Sequence, residues 1–161
     1  MTKGHRLSPR RIAGYFQFHF IDATAALWPK SIVSHDLQPK KAYYEMAQAN
    51  QPVVPLFQLS DRGRTMEVYV ANDLPAALRN CRVAWTIQTG GQTVLQGGKQ
   101  GVAVPATDAT RVERVDLTSI PQDTSVAMIS LTLAESSGRV ISRYQREVFL
   151  KAWRLEDALF R

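Results

Sequence analysis

The chain has little of several things that would announce a function. Its 161 residues include one cysteine, Cys81, so no intrachain disulfide can form. Cys81 sits in Asn80-Cys81-Arg82-Val83-Ala84-Trp85, a strand-like setting in which a lone thiol reads as a small buried hydrophobe rather than a nucleophile. The three histidines, His5, His19 and His35, are dispersed in polar surroundings. They have no ligand-like spacing, so neither a metal nor a cofactor is expected. No apolar run approaches the roughly eighteen residues of a membrane span. No charged start is followed by an apolar segment and a small-residue cleavage site either. Neither a membrane span nor a signal peptide is therefore expected, and cytoplasm, periplasm and secretion from a bacterium all stay open.

Acidic charge is scarce at one end only. The formal net charge is +6, yet residues 1–41 hold seven basic and two acidic side chains, against thirteen and twelve in the remainder. Most of the chain is thus close to neutral and lacks the basic face that a phosphate backbone requires. The basic N-terminus lacks the interleaved aromatics of a single-strand platform, so nucleic acid is not an expected partner. Apolar content of 45% with 21% charge is ordinary for a folded chain and excludes global disorder.

What is present changes character near Pro55. Before it the sequence reads strand, loop, helix. From Ile12 to Ile21 side chains alternate, with Phe16, Phe18 and Phe20 on one face and Gln17 and His19 on the other. A long connection with Trp28-Pro29 at its middle follows. Pro39 suits the first turn of a helix whose Tyr43, Met46, Ala47 and Asn50 share one side, and Pro52 and Pro55 close it.

After Pro55 the period is two. Met66, Val68 and Val70 alternate with polar neighbours, as do Val83, Trp85 and Ile87, and then Ala127, Ile129, Leu131 and Leu133. Short strands are expected around Val94 and from Val102 to Val104, split by Gly97-Gly98. Further strands are expected at Val115 and Leu117 and from Val140 to Leu150. Gly90-Gly91 and Gly97-Gly98 both read as hairpin glycines, because no helix follows them to cradle a phosphate. About seven strands with turns every ~8–12 residues predict an all-β, immunoglobulin-like β-sandwich with Trp85 as its mid-core aromatic. Val83, Ile87, Ile129 and Leu131 are the companion core positions.

The segment from Gly14 to Tyr44, followed by Val70-Ala71-Asn72-Asp73, resembles the C-terminal end of family 2 glycoside hydrolases, the β-galactosidase, β-glucuronidase and β-mannosidase group. Asp22, Trp28-Pro29, Pro39-Lys40, Ala42, Tyr43 and Tyr44 match the family pattern. Phe18 stands where the family has Trp, His19 where it has Gln and Ile21 where it has Asn. The resemblance implies that residues 1–52 are the last strand, loop and helix of a (β/α)8 catalytic barrel, and that 53–161 form an immunoglobulin-like domain with a C-terminal tail. It implies sugar contact at Phe18, His19, Asp22 and Trp28. It implies no catalytic residue, because the two glutamates of these retaining enzymes lie on barrel strands that have no counterpart here.

The resulting expectation is a non-catalytic accessory domain of an enzyme that cleaves β-glycosidic bonds, with no turnover by this chain alone. Its first partner is the upstream barrel. Carbohydrate and self-association through an exposed barrel remnant are further partner expectations. A free-standing sandwich that binds carbohydrate or protein is the alternative. Tyr69 and Trp153 are its candidate surface aromatics, and Arg143, Tyr144 and Arg146 a candidate ligand face. His19 beside Asp22 as an acid/base pair is a weaker reading than two ordinary polar side chains, and Asp22 and Asp36 read first as loop-capping carboxylates.

Overall fold

The computed structural model describes residues 19–25, 31–60 and 63–151. Contacts within the chain divide it into two compact units, Met1–Gln51 and Pro52–Arg161.

In the first unit, Ile21 bridges Val33 in parallel and Val33 bridges Pro39 in antiparallel fashion. The amide of Val33 donates to Phe20 O at 3.0 Å and that of Lys40 to Ile32 O at 2.9 Å, so three chain segments meet at Val33. The alternating stretch from Ile12 to Phe18 lies outside the described residues. At its described end the backbone of His19 is left-handed, with φ 63°, so the extended conformation does not run through it.

Helix α1, Lys41–Ala49, follows with Lys40 as N-cap, so Pro39 lies just ahead of the helix and not in its first turn. Lys40 makes no side-chain cap and the first turn has no acidic residue, which leaves the helix little intrinsic support. Its buried residue is Ala49, with Met46 half-buried, whereas Tyr43, Ala47 and Asn50 are exposed. The inward side is therefore rotated from the expected stripe.

The second unit contains seven strands, β1 Val53–Ser60, β2 Thr65–Asn72, β3 Leu78–Thr89, β4 Gln92–Val104, β5 Asp108–Asp116, β6 Ala127–Ala134 and β7 Val140–Val148. They form two sheets, ordered β1-β2-β5 and β4-β3-β6-β7, with every paired neighbour antiparallel. This is an immunoglobulin-like sandwich in which the fourth strand joins the third.

Strand β1 begins where the prolines suggested only the end of a helix. Pro55 is tolerated because β1 is an edge strand, where a missing N–H need not break a ladder. Strand β4 runs unbroken through Gly97-Gly98, contrary to the hairpin reading. Gly90 and Gly91, both at positive φ, do make the β3–β4 turn.

The core lies between the inner faces. Phe57, Met66, Val68 and Val70 come from one sheet, and Val83, Trp85, Ile87, Ile129, Leu131, Leu133 and Tyr144 from the other, all buried. Phe57 and Tyr144 join the sheets edge to face, with centroids 6.0 Å apart. Each such aliphatic or Phe side chain contributes about 1.5–3 kcal/mol by leaving water.

Trp85 fixes two further choices. Its register partner across the ladder is Gly97, and a Cβ on Gly97 would lie 2.5 Å from the Trp85 ring. Gly98 is equally confined, since its Cβ would lie 2.3 Å from Val83 O. Gly97 thus lets the indole lie against the neighbouring strand, while Gly98 lets the β4 backbone approach that of β3. The indole N–H donates to Glu113 Oε2 at 2.9 Å. Glu113 can point inward because Val112 is an extra residue in β5: Val68 pairs with Glu113 and Tyr69 with Arg111. Lys99 of β4 donates to the carbonyl of the bulge residue Val112 at 3.2 Å, a second polar tie between the sheets.

Two outcomes are expected. Gly97→Ala should lower stability by about 1–3 kcal/mol through overpacking against Trp85, read as a lower urea midpoint with unchanged slope. Ser142, buried on the inner face of β7, has a hydroxyl without a hydrogen-bond partner. Ser142→Ala should therefore raise stability, by about 1 kcal/mol, in the same measurement.

Candidate functional site

The site that the sequence pattern singles out is centred on Asp22. Its chain segment is held by Asp22 N donating to Val33 O at 3.0 Å, which aims the carboxylate at the 31–40 segment. Ser31 Oγ donates to Asp22 Oδ1 at 2.6 Å, and Ser31 N donates to the same oxygen at 3.3 Å. Lys40 Nζ pairs with Asp22 Oδ2 and also donates to Ser31 Oγ at 3.1 Å. Both carboxylate oxygens are thus committed to the chain's own donors. The Lys40 ammonium and then the Ser31 hydroxyl hold the Asp22 carboxyl below its ordinary pKa.

Lys40 is also the N-cap residue of α1. Its ammonium has no acceptor with which to cap the helix, and reaches back to Asp22 instead. Asp36 is held separately by the Ser34 hydroxyl, which likewise lowers its pKa. Each carboxylate therefore acts as a local turn and loop anchor.

Of the other residues expected to contact sugar, His19 is exposed, and Phe18 and Trp28 lie outside the described residues. The aromatics Phe20 and Tyr44 are exposed as well, at 58% and 57%. Among the described residues no group of three or more His, Cys, Asp or Glu side chains could hold a metal ion, and no helix is long and apolar enough to cross a membrane.

On the sandwich, the Asn72 of the Val-Ala-Asn-Asp stretch is fully buried. Its Nδ2 donates to Ala76 O at 2.8 Å and Pro105 O at 2.9 Å, while Leu74 N donates to Oδ1 at 3.1 Å. One side-chain amide thereby satisfies backbone groups of two loops at one pole, which neither Asp nor a hydrophobe could do. On the outer face of the three-stranded sheet, Tyr69 OH donates to Glu67 Oε2 at 2.7 Å and Arg111 pairs with Glu67 Oε1 at 3.2 Å. Those bonds lower the Glu67 pKa, the Tyr69 hydroxyl first and Arg111 after it; burial, then Glu67, raises that of Tyr69.

Sequence pattern missed Ser31 and Glu113 as partners. Neither has a local signal, since each acquires its role from a residue at least nine positions away. Arg143 and Tyr144 do not share a face: Tyr144 is buried against Phe57 while Arg143 is exposed. Trp153 lies outside the described residues. Tyr69 and Phe149 are the sandwich aromatics among the described residues that are not buried.

Two facing antiparallel sheets with a tryptophan wedged between them define the class, an immunoglobulin-like sandwich. Residues 64–148 match the model of the Mannosidase Ig/CBM-like domain, and the chain belongs to that family. Among solved structures, an exo-chitosanase from Amycolatopsis orientalis is similar with a TM-score of 0.61 at 21% identity, over 74% of this chain and 14% of that one. A β-D-mannosidase from Dictyoglomus thermophilum is similar with a TM-score of 0.57 at 16% identity, over 85% of this chain and 16% of that one. The chain therefore spans a small part of either enzyme, and what the structures share with it is the fold. No curated protein matches the chain. The resemblance to the C-terminal region of family 2 glycoside hydrolases is borne out by the family match, with the shared fold in agreement. The sandwich is an accessory domain of the kind that multidomain glycoside hydrolases carry.

The Asp22 latch has a defined pH dependence. A carboxyl whose folded pKa lies below its unfolded value contributes stability above the unfolded pKa, and loses it as pH falls through the folded one. Protection of the Val33 and Lys40 amides, taken relative to the intrinsic exchange rate at each pH, should accordingly be high at neutral pH and fall only below the ordinary carboxylate range. Asp22→Asn should bring fast exchange at those two amides to neutral pH, and unchanged rates would remove the latch role.

Proposed function

We propose that this chain is a non-catalytic C-terminal accessory region of a glycoside hydrolase acting on β-linked sugars, with the sandwich from residue 53 onward following the end of a catalytic barrel in residues 1–52. The observation that carries the reading is the family match over residues 64–148 in a chain that covers only 14% of a similar exo-chitosanase.

The geometry of the first unit supports it. Asp22, the motif residue with charge, spends both oxygens on Ser31 and Lys40, so its part in the chain is to hold the loop between the last strand and last helix. Contact with sugar at the barrel end then falls to Phe18, His19 and Trp28. The exposed Phe20, Ile21 and Tyr44 are apolar surface that the remainder of a barrel would cover. Catalysis in such an enzyme belongs to a pair of carboxylates upstream, which act across the scissile bond.

The purified chain should accordingly release no chromophore from nitrophenyl β-mannoside, β-glucosaminide, β-galactoside or β-glucuronide. Turnover by the pure chain would end this reading, and its loss or survival in Asp22→Asn and His19→Ala would say whether those two side chains carry it. Sequencing upstream of the coding region is the complementary check, since several hundred residues carrying a barrel with two glutamates are expected there.

A further inference from the structure

The outer face of the four-stranded sheet is a surface to which no role has been given. Its rows follow from the register. Gln96, Thr86, Ser130 and Gln145 lie side by side across β4, β3, β6 and β7. They point outward, because their strand neighbours Trp85, Ile87, Ile129, Leu131 and Tyr144 are buried. Strands lie about 4.8 Å apart, so this row is a line of amides and hydroxyls about 14 Å long. The flanking rows add Thr132 on one side and Gln88 on the other, where Gln88 Nε2 donates to Thr93 Oγ1 at 3.4 Å on the same face.

Two properties set this face apart from the opposite one. The middle of its two central strands carries the short Ala84, Thr86, Ser130 and Thr132, all half-buried, with the longer Gln88 and Met128 in the row to one side. Charge is confined to the rim, at Arg143 and Glu147 on β7 and Arg82 on β3. The outer face of the other sheet is instead crossed by Glu67 and Arg111. A solvent-exposed protein surface ordinarily intersperses charges throughout. A flat centre without them suits a ligand that is itself uncharged and offers hydroxyls in a line, because no charge must then be desolvated on either side.

We infer that this face binds an extended, uncharged, hydroxyl-rich glycan, which lies across the four strands and hydrogen-bonds to Gln96, Thr86, Ser130 and Gln145. This goes beyond the accessory role and stands or falls apart from it, since the upstream sequence tests that role and ligand titration tests this one. Recognition here uses hydrogen bonds without aromatic stacking, so affinity is in the millimolar range, about −4 kcal/mol.

The test is titration of the full 15N-labelled chain with mannohexaose and with cellohexaose, followed by amide chemical shifts. The expected result is saturable shifts centred on residues 84–88 and 129–132 with at least one of the two sugars. Thr86→Glu, which places charge at the centre, should weaken binding about tenfold or more. Should that variant fail to fold, Gln96→Ala at the exposed edge decides by the same criterion, with several-fold weakening expected. Absent shifts with both sugars, shifts centred elsewhere, or binding unchanged in the folded variant would each overturn the proposal.

Discussion

The sandwich is organised around the seating of Trp85. A large indole can lie between two sheets only if the adjacent strand gives it room and its N–H finds an acceptor. Gly97 supplies the first condition and Glu113 the second. Each condition propagates. A strand with two consecutive glycines is entropically poor, yet β4 runs through them because a side chain at Gly97 would strike the indole and one at Gly98 the β3 backbone. A glutamate on the inner face would be costly if unpaired, yet the bulge at Val112 aims it at the buried indole N–H of Trp85. The bulge in turn leaves the Val112 carbonyl for Lys99. Sheet register, strand length and the polar ties between sheets thus follow from one side chain.

Among the described residues of the first unit a different kind of constraint is prominent, an ion pair beside a small buried cluster. Ser31, Ile32 and Val33 are buried, but the helix beside them is short and lacks a side-chain cap. Backbone hydrogen bonds through Val33 and Ile32 join the Asp22, Ser31 and Lys40 segments, and the one carboxylate adds charge and side-chain hydrogen bonds to that join. That gives the motif Asp and the motif Lys a structural explanation independent of any sugar. The matching residues Tyr43 and Tyr44, which pack edge to face with centroids 5.5 Å apart, remain on the surface.

Legibility differed between elements for identifiable reasons. Strands β2, β3 and β6 show alternation because one face of each meets the core and the other is more open, so period located them, whereas β7 was placed by the turn before it. Strand β1 was hidden because Val53 to Phe57 are buried on consecutive positions and prolines interrupt the run. A strand at a sheet edge can accept Pro55, but edge position is a property of the assembled sheet. The paired glycines in β4 read as a turn for a parallel reason: glycine reports that a side chain is not tolerated, without saying whether a reversal or a neighbouring indole forbids it.

The sequence by itself determined the class. Period-two alternation, turn spacing and a lone mid-strand Trp suffice for an immunoglobulin-like sandwich, and the Asp, Trp-Pro, Pro-Lys and Ala-Tyr-Tyr elements point to the glycoside hydrolase context. Only the tertiary structure decided the partners. That Asp22 meets Lys40 across eighteen positions, that Asn72 spans two loops, and that Glu113 turns inward all depend on register and bulge placement, which are set by non-local packing. Periodicity encodes which face of a strand is buried; it carries no information about which distant residue will lie opposite, and the chemistry of this chain is made of such oppositions.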